Sequence, residues 1–143
     1  MTFGCSGTPL LKKLGIKPGF RIAILNAPAD YNSLLGELPP DVVRLDTLPD
    51  DTPQASLDLI HFFVLNRLEF ESHYDALKRA LKPNGALWIS WYKKSAKIPT
   101  DLTEDVIRDY ALVNGLVDVK VAEVDNLWSG LKLVYRLKDR GSI

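Results

Sequence analysis

The stretch Leu14-Gly15-Ile16-Lys17-Pro18-Gly19-Phe20-Arg21-Ile22-Ala23-Ile24-Leu25-Asn26-Ala27-Pro28-Ala29 decides the fold. Pro18-Gly19 marks a turn, after which Ile22, Ala23, Ile24 and Leu25 run apolar without a break. A strand with one wet face alternates apolar and polar residues. A continuous run from Arg21 to Asn26 instead predicts a strand covered on both faces, as in a parallel sheet between helices. Just upstream, Thr8 is placed to cap a short helix, with Pro9 at its first position. Leu10, Leu11 and Leu14 give that helix an apolar side, and Gly15 stops it.

The pattern repeats downstream. Asp30 to Leu35 reads as a short helix and Val42 to Leu45 as a second, weaker strand. Two prolines and three acids between Asp46 and Ser56 indicate loop. Leu57 to Leu65 is a third buried strand. Phe70, Tyr74, Leu77 and Leu81 then fall on one face of a 3.6-residue period, which predicts a helix. Lys82-Pro83-Asn84-Gly85 is a turn, and Ala86 to Trp91 a fourth strand. Asp101 with Glu104 resembles a capping box that opens a helix with Val106, Ile107, Tyr110 and Ala111 on its inner face. From Val117 the period becomes two. Val117, Val119 and Val121, then Leu131, Leu133, Tyr135 and Leu137, alternate with their neighbours across a loop containing Asn126 and Gly130, an antiparallel hairpin. The sum is a Rossmann-like three-layer α/β sandwich, with a mainly parallel sheet of about six strands and a C-terminal antiparallel hairpin.

The totals fit that picture. A chain of 143 residues, 46% hydrophobic and 25% charged, reads as one domain, long enough to bury roughly 68–70% of its unfolded surface. Residues 1–7 and 139–143 read as flexible ends. The formal net charge is zero, which argues against a nucleic-acid partner, because phosphate binding needs surplus Lys and Arg. The charge is uneven, with four cations and no acid in residues 1–29, and seven acids against Arg44 alone in residues 30–58. That predicts an acidic face, serving solubility or a partner. Cys5 is the single cysteine, so no internal disulfide forms, and with His61 and His73 it offers little for a metal. No apolar run reaches the roughly 18 residues of a membrane span, and the start lacks the features of a secretory signal, so the cytoplasm is the expected location.

The order of these pieces resembles the class I S-adenosylmethionine-dependent methyltransferase fold. Leu14 to Ile22 looks like the lead-in to its first strand, and Leu77 to Ile89, centred on Leu81-Lys82-Pro83-Asn84-Gly85-Ala86-Leu87, looks like a helix, turn and strand of that fold. More closely, Thr8 to Leu137 resembles a bacterial domain family of unknown function whose members are short, degenerate versions of it. Thr100-Asp101-Leu102-Thr103-Glu104-Asp105-Val106, Leu116-Val117-Asp118-Val119-Lys120 and Trp128-Ser129-Gly130-Leu131-Lys132 carry that likeness.

Two departures count against the methyl-donor cofactor. Working members of the fold end the first strand in a Gly-x-Gly-type loop, because only glycine lets the backbone approach the ligand closely. Asn26-Ala27-Pro28-Ala29 brings side chains there, and Pro28 removes an N–H donor. Only about a dozen residues separate Leu45 from Leu57, too few for a parallel crossover with a further strand. The usual third strand, which helps wall the adenine pocket, is therefore expected to be missing.

Ligands in such sheets bind outside the carboxyl ends of the strands. Asn26 to Asp30, Asp46, Asn66-Arg67 and Trp91 to Lys94 should meet there. The resemblance would have Asp46 hold ribose hydroxyls; otherwise it is a solvated loop acid. Asn66 and Arg67 either line the edge or simply begin the helix at Leu68. Trp91-Tyr92-Lys93-Lys94-Ser95-Ala96-Lys97 joins aromatics to three cations, either an anion or base site or a buried strand end with a wet basic loop. Trp88 and Trp128 read as packing residues, and His61 as a buried neutral imidazole. Gly4-Cys5-Ser6-Gly7 lacks the spacing and preceding strand of a nucleophile elbow, so neither Cys5 nor Ser6 is expected to catalyse. The function expected is a non-catalytic methyltransferase-like domain that binds a small ligand or protein partner, with no cofactor, metal, nucleic acid or membrane. A divergent methyltransferase or nucleotide-binding enzyme that uses S-adenosylmethionine is the alternative. A homo-oligomer through the hairpin edge is a third.

Overall fold

The computed structural model describes residues 8–142. The expectations for residues 1–7, including those for Cys5 and Ser6, lie outside the described residues. Six strands form one sheet in the order β2-β1-β3-β4-β6-β5. They are β1 (Arg21–Leu25), β2 (Val43–Leu45), β3 (Leu57–Phe63), β4 (Leu81–Tyr92), β5 (Leu116–Glu123) and β6 (Trp128–Tyr135). The first four run parallel, and β6 and β5 close the sheet antiparallel. No strand intervenes between β2 and β3, so β2 is an edge, as the short 46–56 segment requires.

Helices cover both faces. On one, α1 (Leu10–Leu14) and α2 (Tyr31–Leu35) pack Leu10, Leu14, Tyr31 and Leu35 against Ile22, Ile24, Leu59 and Trp88. On the other, α3 (Arg67–Ala80) and α4 (Glu104–Val113) pack Phe70, Tyr74, Leu77, Ile107 and Ala111 against Ala23, Leu25, Ile60, Phe62, Leu87 and Ile89. This division is why β1 reads as an unbroken apolar run from Ile22 to Leu25: adjacent residues enter opposite cores.

Several local expectations are corrected. Pro9 occupies the N-cap of α1, one place earlier than expected, and no side chain caps that helix, so Thr8 does not. Gly15 does close it, at φ +84°. Leu81 is the first residue of β4 rather than the last of α3, buried against Leu57. The Lys82-Pro83-Asn84-Gly85 turn is an excursion within that strand, since β3 advances from Leu57 to Leu59 while β4 advances from Leu81 to Ala86. Gly85 is required there: a Cβ would lie 2.9 Å from the Asp58 carbonyl oxygen and 2.8 Å from Leu81 Cδ1. Asp58 ties the neighbouring strand starts together, accepting hydrogen bonds from Arg21 N (2.8 Å) and Lys82 Nζ (3.0 Å).

Thr103, not Asp101, caps α4: its hydroxyl accepts from Val106 N at 3.2 Å. Asp101 accepts instead from Arg67 N at 2.7 Å, at the start of α3. Gly130 belongs to β6, paired with Ser90 and Ala122, rather than to the hairpin loop. The β5 alternation is blunted by a register shift between Asp118 and Lys120, and Val119 and Val121 are left exposed on the sheet edge. The second strand ends at Tyr135. Leu137–Ser142 form a 3-10 helix that takes in most of the stretch read as a loose tail, with Leu137 exposed. Among the described residues, no helix is long and apolar enough to cross a membrane, and no group of three His, Cys, Asp or Glu side chains could hold a metal ion.

Candidate functional site

The carboxyl ends of β1, β2, β3 and β4 share one edge of the sheet, and three cavities lie along it. The first, about 300 Å³, sits between the ends of β1 and β2 and is lined by Asn26, Ala27, Pro28, Ala29, Tyr31, Asn32, Arg44 and Asp46. The second, about 460 Å³, shares Asn26 and Pro28 with the first and runs to Phe63, Leu65, Glu69, Tyr92, Leu127 and Trp128. The third, about 560 Å³, lies between the end of β4 and the start of α4, with Trp91 and Leu102 among its lining residues. Five of the seven candidates line these cavities, spread along the edge rather than gathered at one point.

Asn26 and Asp46 do line the first cavity. Asn26 has φ +59°, the left-handed conformation that glycine adopts without strain and asparagine tolerates. Its backbone keeps a turn suited to glycine, while its amide reaches across to the Phe63 carbonyl at 3.4 Å. Asp46 is paired through one oxygen: Arg44 Nε donates to its Oδ1 at 2.9 Å, and Arg44 Nη1 donates to Asn32 Oδ1 at 2.7 Å. The guanidinium also lies 5.6 Å from the Tyr31 ring centre. Arg44 was not among the sequence candidates, yet it is the one cation in the acidic stretch from residue 30 to 58. That isolation was the signal.

Beneath this end runs a buried polar chain. Tyr31 Oη lies 2.9 Å from His61 Nδ1, and His61 Nε2 lies 2.7 Å from Ser90 Oγ. Both His61 and Ser90 are fully buried. Burial lowers the His61 pKa from 6.5 to about 3, so the ring is the neutral imidazole expected from the sequence. A neutral ring accepts at one nitrogen and donates from the other, so either tautomer satisfies both hydroxyls, with the donor and acceptor roles exchanged. Burial also raises the Tyr31 hydroxyl pKa, against the opposing pull of Arg44. The Ser90–His61 pair has the contact of a nucleophile and base but no surface at which a substrate could meet it. Its role is to satisfy and orient Tyr31 under the cavity.

Asn66 and Arg67 begin α3. Asn66 is its N-cap, accepting from Glu69 N at 2.9 Å, while Glu69 Oε1 returns to accept from Leu65 N at 3.0 Å. Arg67 turns to Glu71 at 2.5 Å and lines a separate cavity between α3 and α4. Neither residue lines any of the three edge cavities. Trp91, Lys93 and Lys94 line the third, where Lys93 is paired with Glu123 at 2.8 Å. Trp88 is core, its indole N–H donating to the Leu14 carbonyl at 3.1 Å. Trp128 packs, stacked on Tyr92 with ring centres 4.1 Å apart, and also walls the second cavity.

At the β1–β2 end, side chains rather than glycines follow β1, and Arg44 pairs with Asp46 at the end of β2.

No protein-family model matches the sequence, and no curated protein does. Solved structures do match. A SAM-dependent methyltransferase from Aquifex aeolicus superposes with a TM-score of 0.52 at 17% identity, over 87% of this chain and 86% of that one. The ribosomal protein L11 methylase from Lactobacillus delbrueckii subsp. bulgaricus gives 0.53 at 14%, over 88% and 74%. TrmN from Thermus thermophilus gives 0.53 at 16%, over 89% of this chain and 47% of its own. At these identities the likeness establishes the fold: a methyltransferase-like Rossmann domain.

Proposed function

We propose that this domain binds a small ligand at the carboxyl edge of its sheet without S-adenosylmethionine and without catalysing a reaction. One observation carries the reading: the chain's own side chains complete the β1–β2 end. Asn26 bonds to the Phe63 carbonyl and Arg44 takes Asp46, where the likeness would put a nucleotide. The absence of a strand between β2 and β3 supports it, because the wall of an adenine pocket is then also lacking. Membership of a bacterial family of short, degenerate methyltransferase-like domains and a cytoplasmic location belong to the same proposal.

The second reading is a divergent methyltransferase. It draws on the fold likeness and on the left-handed backbone at Asn26, which preserves the local turn. Thermal melting separates the two. A ligand that binds only the folded state stabilises it by about 2.7 kcal/mol at 100 times its dissociation constant. S-adenosylmethionine, its demethylated product and common nucleotides are expected to leave the melting temperature unchanged. A clear upward shift, lost in Asp46→Ala, would favour a methyltransferase if S-adenosylmethionine gives it and a nucleotide-binding enzyme if a nucleotide does.

A further inference from the structure

The largest of the three edge cavities differs from the other two in chemistry. Its lining includes Trp91 and Leu102, both buried, with Ile98 and Pro99 along the wall. Its volume of about 560 Å³ falls within the roughly 300–1,000 Å³ of sites that enclose small molecules. Four lysine or acid groups near it are already matched. Lys93 pairs with Glu123, Glu104 and Asp105 both pair with Arg108, and Asp101 accepts from the Arg67 amide. Thr100 and Thr103 are also engaged, with the Leu65 carbonyl and the Val106 amide. Lys94 and Lys97 remain. Both are exposed, both line the cavity, and neither makes an ion pair among the described residues.

An apolar, aromatic recess whose only unmatched charges among the described residues are two rim ammonium groups selects a matching shape of ligand. We propose that this cavity binds a small amphipathic acid, a carboxylate at the rim carried on an alkyl or aryl body that rests on Trp91 and Leu102. The apolar body would be transferred out of water, the main gain. The carboxylate would meet Lys94 and Lys97 at a wet rim, giving a charge-assisted contact without the cost of burying an ion. This rests on the reading that the edge binds a small ligand, and it names that ligand's chemistry. A neutral ligand would gain only the first term, and a phosphate without an apolar body only the second.

The experiment is a titration of the full chain, with ¹⁵N amide shifts as the readout. Decanoate and naphthoate are the two acids, with decanol and naphthamide as neutral partners of the same bodies. At least one acid is expected to move amides of Trp91 to Thr103, and to bind about tenfold more tightly than its neutral partner. Which acid does so tells alkyl from aryl. Added salt should weaken the acid alone, because the rim charges are exposed. The double variant Lys94→Gln with Lys97→Gln should lose that tenfold preference and keep the affinity for the neutral compound. Both substitutions are on the surface, so the fold is retained. The proposal is overturned if neither acid binds, if acid and neutral partner bind alike, if the variant keeps the preference, or if the shifts fall instead at Asn26 to Asp46. Failure here with no response to S-adenosylmethionine leaves the proposed function standing. A response to S-adenosylmethionine removes that function whatever the acids do.

Discussion

The β1–β2 end and the β4 end of the same sheet edge are finished in opposite ways. At the first, Asn26, Arg44, Asp46 and Asn32 bond to one another or to backbone, over the Tyr31–His61–Ser90 chain. At the second, the floor is apolar, and Lys94 and Lys97 make no ion pair among the described residues. Polar groups that satisfy each other stabilise the fold and have little left for a ligand. Unmatched groups above an apolar recess do the reverse. The contrast is the basis for proposing binding at the β4 end and not at the β1–β2 end.

The largest effect is expected at Phe63, beneath the completed end, which meets Tyr31 edge-on at 5.4 Å on one side and Trp128 at 5.0 Å on the other. Phe63→Ala should cost about 3–5 kcal/mol in denaturant unfolding and loosen both walls. A loss under ~1 kcal/mol would mean the completed end is not packed as described.

Acid should act next most strongly, and at the completed end. His61 has its folded pKa depressed to about 3 against 6.5 unfolded. The unfolded chain therefore binds the extra proton between those values. The stability His61 contributes is fully present above about pH 6.5 and is lost as pH falls toward 3, by at most about 1.4 kcal/mol per unit. Unfolding free energies from pH 7 to 4 would follow this slope, and His61→Gln should flatten it. An equal slope in both proteins would place the sensitivity elsewhere.

Tyr31→Phe removes one hydroxyl from His61 and leaves a buried ring nitrogen unsatisfied, costing about 1–3 kcal/mol. At the open end the substitutions should be nearly silent. Lys94→Gln with Lys97→Gln is expected to change stability by no more than about 0.5 kcal/mol. A larger destabilisation would show that those lysines hold the fold and are not unmatched.

Much of the architecture was legible because it rests on local periodicity. The unbroken run Ile22 to Leu25 and the 3.6-residue spacing of Phe70, Tyr74 and Leu77 each placed an element. The caps were less legible. Asp101 with Glu104 fits a capping pattern, but Thr103 is nearer the helix, and Asp101's partner, Arg67 N, is 34 residues away. The Tyr31–His61–Ser90 chain was missed for the same reason, since its bonds span 30 and 29 residues. A His and a Ser inside otherwise apolar strands were the available hint. For Asn66 and Arg67 the sequence left two roles open, the edge or the start of a helix, and the structure has them starting α3.

The most direct measurement is the amide shift map of the ¹⁵N-labelled chain with S-adenosylmethionine added to millimolar excess. The expected result is an unchanged spectrum at Asn26 to Tyr31 and at Arg44 to Asp46, the completed end. Saturable shifts at those residues would contradict it, and would mean that the fold's usual cofactor site survives behind the asparagine.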